Sequence, residues 1–223
     1  TEMSDIINRL EDHVASARMK TTPVIDFEKN ESLKGLDYLD TIYHAIVNEH
    51  PIQLKYRSFK ARSANSFIFY PYLLKEYRNR WFVYGVRGNG RVLQNLALDR
   101  IQSLEVLPQE HYIKNTFFDP NTFFDDLVGV TKNSGSVAEK VGFKVAAAEA
   151  PYIITKPIHR SQQLVERLPD GSVILEIEVV INHELERVFF GYVDGIEILY
   201  PKTLVELMSR KLEKAAKQYT KSK

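Results

Sequence analysis

The hydrophobic period of this chain changes from helical to two and then alternates, and that change constrains the fold more than any single motif. Over residues 36–49, Leu36, Leu39, Ile42, Tyr43, Ile46 and Val47 form one apolar helical stripe, which Pro51 ends. From 52 to 107 the period is two. Ile52, Leu54 and Tyr56 alternate with Gln53, Lys55 and Arg57, and Phe67, Phe69, Trp81, Val83, Val92, Leu96 and Leu98 continue the strand chemistry. Turn signals stand at Arg78-Asn79 and at Gly88-Asn89-Gly90. Four or five short strands with no helix between them predict a small curled antiparallel barrel.

Residues 108–136 form a connector. Phe117-Phe118-Asp119-Pro120 and Phe123-Phe124 are too aromatic for a free linker, so this segment is expected to pack on something. Asn133-Ser134-Gly135-Ser136 is its best flexible point. Beyond it the pattern predicts a strand at 139–147, a helix at 149–156, strands at 160–168 and 172–181, a helix at 183–190, a strand at 194–200 and a helix at 202–219. Pro169-Asp170-Gly171 supplies the turn between the middle strands. The order βαββαβ, with an added terminal helix, is the ferredoxin-like arrangement. At the other end, Ile6, Ile7, Leu10, Val14 and Ala17 predict a helix near 2–19, capped by Ser4. That helix reads as a linker, half of a coiled dimer contact or an ordinary surface helix. The fold class is α+β: an N-terminal linker helix (1–35), a barrel with its leading helix and aromatic connector (36–132), and a ferredoxin-like domain (137–223).

Composition limits the function classes. Lys plus Arg is 30 against 29 Asp plus Glu in 223 residues, so no overall field attracts nucleic acid and any such binding needs a local patch. The apolar share of 44% is enough for a real core. With no cysteine there is no disulfide and no thiolate metal site, which fits a reducing cytoplasm. The histidines lack metal-ligand spacing, and neither a metal nor a cofactor is expected. No apolar run approaches the ~20 residues of a membrane span. The chain begins at Thr1 rather than Met, which reads as a processed chain or a piece of a longer one.

Four blocks then carry a family resemblance. Arg80-Trp81-Phe82-Val83-Tyr84-Gly85 resembles the Trp-Tyr-Leu strand that names the WYL domain, with Phe82 and Val83 in place of tyrosine and leucine. Ile52-Gln53-Leu54-Lys55-Tyr56-Arg57 is similar to the family's first strand, and Phe69-Tyr70-Pro71-Tyr72-Leu73-Leu74-Lys75 to its proline-containing second strand. Leu96-Ala97-Leu98-Asp99-Arg100-Ile101 matches its closing element. The C-terminal extension called WCX is resembled by Lys156-Pro157-Ile158-His159-Arg160-Ser161-Gln162, by Asn182-His183-Glu184-Leu185 and by Leu199-Tyr200-Pro201 before a long helix. The resemblance implies an SH3-like or Sm-like barrel that follows a winged helix-turn-helix and senses a ligand, in several cases nucleic acid. No helix-turn-helix pattern precedes residue 30, so DNA contact is expected only through a part not in this sequence.

A nucleic-acid or nucleotide sensor needs cations for phosphate and flat rings for bases. Lys55, Arg57, Lys75, Arg78, Arg80 and Arg100 interleave with Tyr56, Tyr70, Tyr72, Tyr77, Trp81 and Tyr84. Of these, Lys55, Tyr56, Arg57, Tyr70, Tyr72, Lys75, Trp81, Tyr84 and Arg100 are the expected ligand residues, together with His159 and Ser161 from a polar cluster placed at the groove between the domains. They are expected to converge on a single solvent-open surface. Trp81 is also readable as a core anchor, and Arg100 as half of a structural pair with Asp99. Where the family carries further arginines before its closing element, this chain has Gln94, Asn95 and Ala97, which allows a smaller or less charged ligand. The sensor reading names a single-stranded nucleic acid or nucleotide-like effector, a homodimer, a cytoplasmic location and no enzyme. Its alternatives are a nucleotide-directed hydrolase using His159 and Ser161, or a pure dimerisation module built on the helices at 2–19 and 202–219.

Overall fold

The computed structural model describes residues 35–59, 61–88, 90 and 92–220; the helix expected near 2–19 and Asn89 of the expected turn lie outside these. The described chain opens with a 3-10 turn, Leu36–Tyr38, and helix α1, Leu39–Val47, which buries Ile42 and Ala45. Gly35 takes φ +88, and a Cβ there would stand 2.5 Å from the Leu98 backbone, so only glycine lets the chain pass that turn.

Five strands follow: β1 Ile52–Tyr56, β2 Asn65–Tyr77, β3 Arg80–Arg87, β4 Gln94–Ala97 and β5 Ile101–Val106. They pair antiparallel in the order β4-β3-β2-β1-β5. The expected barrel is not closed by strand pairing: among the described residues β4 and β5 do not pair, and a 3-10 turn, Leu98–Arg100, carries the chain between them. Arg78 and Asn79 join β2 to β3 with φ of 50 and 59, as a tight hairpin of this hand requires. A bulge between Pro71 and Leu73 breaks the β2–β3 register, where proline has no N–H to give the ladder. One face of the sheet closes on α1 around Ile42, Ile52, Leu54, Phe69, Val83 and Leu98.

The second sheet belongs to a run of strand β6 Glu139–Val145, helix α2 Ala150–Thr155, strand β7 Gln163–Arg167, strand β8 Val173–Val179, helix α3 His183–Phe190, strand β9 Ile196–Tyr200 and helix α4 Lys202–Thr220. Its order is β7-β8-β6-β9, all antiparallel. Val141, Phe143, Val145, Val173, Leu175 and Ile177 alternate inward onto Ile153, Leu185, Phe189, Leu204 and Met208 of the helices. The molecule is thus α+β, two antiparallel sheets each with helices on one face. No helix among the described residues is long and apolar enough to cross a membrane.

Candidate ligand site

Strand parity splits the expected site residues between two faces of the first sheet. On β3, Val83 joins the core against α1, while Tyr84 points to the opposite face. The connector covers that opposite face. Tyr72 stacks on Phe117 with centroids 6.1 Å apart and meets Tyr112 edge-on; Tyr70 also meets Tyr112. Tyr84 is enclosed by Phe118, Phe123 and Phe124, and its hydroxyl donates to the Val130 carbonyl. Burial raises the Tyr72 hydroxyl to about 12 and the Tyr84 hydroxyl further still. Lys75 lies over the Phe124 ring at 4.6 Å.

The single open surface expected from the sequence is therefore corrected: Tyr72 and Tyr84 are walled in by the chain's own aromatics. Their rings are the floor for the connector, whose phenylalanines need an apolar partner as much as any base would. Trp81 packs at the margin of the core on the other face.

The same connector grips the second sheet. Asn95 donates to Val130 O at 2.8 Å from the first sheet, while Asn182, the N-cap of α3, donates to Val128 O at 3.0 Å and Thr131 O at 2.9 Å. Between these bonds Gly129 takes φ +92 against the side chain of Glu184, and Thr131 donates to the buried Glu184 carboxylate at 2.7 Å.

A second group gathers at the end of the sheet where β1 stops. Tyr56 is buried with its hydroxyl beside Arg100; burial raises its pKa and the guanidinium draws it back down. Arg57 N–H donates to Arg100 O at 3.1 Å, which ties the end of β1 to the Leu98–Arg100 turn. The Arg100 guanidinium lies 4.3 Å from the ring centroid of Phe59, and that phenylalanine is 75% exposed. Arg80 Nε stands 3.3 Å from Asp99 Oδ2, and Arg100 Nε 4.0 Å from Asp99 Oδ1. One mostly buried carboxylate thus serves two arginines, and the rim keeps a positive excess. Arg57 and Lys55 are exposed; Lys55 lies on the opposite strand face from Tyr56.

His159 and Ser161 belong to neither group. His159 Nδ1 is 2.7 Å from Ser161 Oγ and accepts from the Ser161 N–H at 3.2 Å. Ser161 Oγ also accepts from Glu178 N–H at 2.9 Å, and Arg160 pairs with Asp125 at 2.6 Å. Burial, then Arg160, holds the imidazole below its ordinary pKa. The serine hydroxyl is engaged by the β8 backbone, and the pair clips this loop to the sheet and the connector.

Reasoning from sequence missed Phe59, Phe67 and Arg87. Phe59 carried a weak signal, an aromatic in a polar loop. Arg87, whose guanidinium lies 3.5 Å from the Phe67 centroid, was masked by the neighbouring turn signal. Among the described residues no cluster of metal-ligating side chains occurs.

Comparison with known families gives a WYL domain at residues 37–106 and a WCX domain at residues 138–216, two stretches that together take up most of the chain. No curated protein matches significantly. Two solved structures are similar: proteasome accessory factor B/C (PafBC) of Arthrobacter aurescens, 17% identical with a TM-score of 0.34, covering 92% of this chain and 30% of that one; and a CRISPR Cas-related protein, 13% identical with a TM-score of 0.47, covering 81% of this chain and 50% of that one. This chain spans half or less of either protein's length. On the two domain matches, in the order and places that the sequence blocks indicate, the chain belongs to the WYL-domain family and carries the WCX extension.

Proposed function

We propose that this chain is the effector-sensing region of a bacterial transcriptional regulator, and that its effector is an anionic, base-bearing molecule, a single-stranded nucleic acid or a nucleotide. The observation that carries this reading is the rim of Tyr56, Arg57, Phe59, Arg80 and Arg100, with an arginine stacked on an exposed ring. Exposed aromatic faces and guanidinium groups side by side serve stacking and phosphate contact together. The domains read as 36–132, an opened SH3-like barrel with its connector, and 137–223, whose sheet order fits a ferredoxin-like domain. An effector at the rim acts by preferring one arrangement of the connector that both sheets hold.

Fluorescence anisotropy with labelled single-stranded oligonucleotides, titrated against salt, tests the reading. Binding is expected at low salt, with at least a tenfold loss in Arg100→Ala, roughly the share of one charge-assisted contact. No binding of any oligonucleotide or nucleotide at low salt overturns it.

A homodimer is favoured by a specific surface: an apolar groove lined by Phe190, Val193, Ile196, Val205 and Leu212, between the end of α3, β9 and α4. Sedimentation of the intact chain that gives a monomer at all concentrations would remove that part.

A further inference from the structure

Arg80 and Arg100 share one carboxylate, but Arg87 has no acidic partner among the described residues. Its Nε is sealed from water and makes no hydrogen bond there, while its guanidinium rests 3.5 Å from the Phe67 centroid. An arginine held on a ring, with no carboxylate beside it among the described residues, can receive an anion brought from outside.

Its position relates it to the rim. Leu54 pairs with Phe67 and Tyr56 with Asn65, so Phe67 and Tyr56 are diagonal neighbours across β1 and β2. Both side chains lie on the core-facing side of the sheet, at the margin of one cluster. Diagonal neighbours stand roughly 7–8 Å apart. Strand β3 presents Gly85 and Arg87 to this side, and Gly85 leaves room for the Phe69 ring that a Cβ would meet at 2.6 Å. Along this side the order is Arg87, Phe67, Tyr56, Arg100, Phe59: two cation–ring pairs with the buried Tyr56 between them. Stacked bases advance about 3.4 Å along one strand, so Phe67 and Tyr56 are about two nucleotide steps apart.

We propose that Arg87 and Phe67 form a second subsite of the rim, which selects an oligonucleotide over a mononucleotide. This rests on the reading of the rim as the effector site.

The test uses the whole chain and fluorescein-labelled oligothymidylates of two and twelve nucleotides, with Arg87→Gln, Phe67→Leu and Arg100→Gln. Arg87→Gln should weaken the twelve-mer by about tenfold and flatten the log K against log salt slope by about 0.7, the share of one phosphate contact on a single strand. The two-mer should change less than about twofold, whereas Arg100→Gln should weaken both. Phe67→Leu keeps apolar bulk, should repeat the length dependence, and carries the test alone if Arg87→Gln fails to fold by circular dichroism. Unchanged twelve-mer affinity and slope in the folded variants, with Arg100→Gln still defective, overturns the second subsite and leaves the site intact. If the wild-type chain binds neither length, the effector reading falls, and the subsite with it.

Discussion

The two faces of the first sheet are built from the same residue types and meet opposite fates. One face carries Tyr70, Tyr72, Lys75 and Tyr84; the chain's own Tyr112, Phe117, Phe118, Phe123 and Phe124 close over it. At the end of the other face Tyr56 and Arg100 meet Arg80 across Asp99, and among the described residues the ring stacked on Arg100 is Phe59, itself exposed. Tyrosines with cations nearby therefore do not define a binding site. What separates the two is whether a segment of the chain has already taken the rings. The covered face has become structure, and through Val128, Val130 and Thr131 it is joined to the second sheet. The open end keeps chemistry to spare.

The largest effect that sharpens this contrast is a double dissociation. Tyr84→Ala should cost about 3–5 kcal/mol, as truncation of buried aromatics does, and urea unfolding measures it. Arg100→Ala, at a side chain that is 26% exposed, should stay within about 1 kcal/mol of wild type in the same experiment while oligonucleotide binding falls. Equal destabilisation in both would erase the distinction.

Next in size is Gly129→Ala in the connector. The added Cβ would meet Glu184 Cγ at 2.5 Å, from a backbone at φ +92, so a loss of about 2 kcal/mol in unfolding free energy is expected. A neutral outcome would mean that the connector is not tightly seated between the sheets.

The smallest effect is pH dependence at the His159 clip. Its pKa is lowered on folding, so the unfolded chain binds the proton more readily. Stability is therefore kept above the unfolded pKa of about 6.5 and lost as the pH falls through it. Thermal melts between pH 7.5 and 5.5 should show a shallower decline in His159→Gln than in wild type. Identical slopes would show that His159 is not the titrating group.

The elements were largely legible in the sequence. The strands and helices beyond residue 139 fall within a few residues of the pattern, and the helix expected at 183–190 is α3 itself, because Asn182 caps it and its apolar stripe is regular. The aromatic connector was also legible as a packed segment. Its destination was not, because periodicity gives a side chain's face but not what lies across from it. That is why Tyr72 and Tyr84 read as ligand residues, although the chain supplies their partners from more than thirty residues downstream. Period two likewise predicts a curled sheet without saying whether its edges meet; the Leu98–Arg100 turn stands where pairing was expected. Arg87 was invisible for a related reason, since a cation–ring contact between separate strands leaves no local pattern, and Phe59 showed only as an aromatic in a polar loop.

Hydrogen exchange with and without a twelve-nucleotide single strand, read by mass spectrometry on the intact chain, tests the central claim most directly. Slowed exchange should centre on residues 55–59 and 98–101, where the rim backbone lies. Protection confined to 112–130 or to the second sheet, with the rim unchanged, would contradict it.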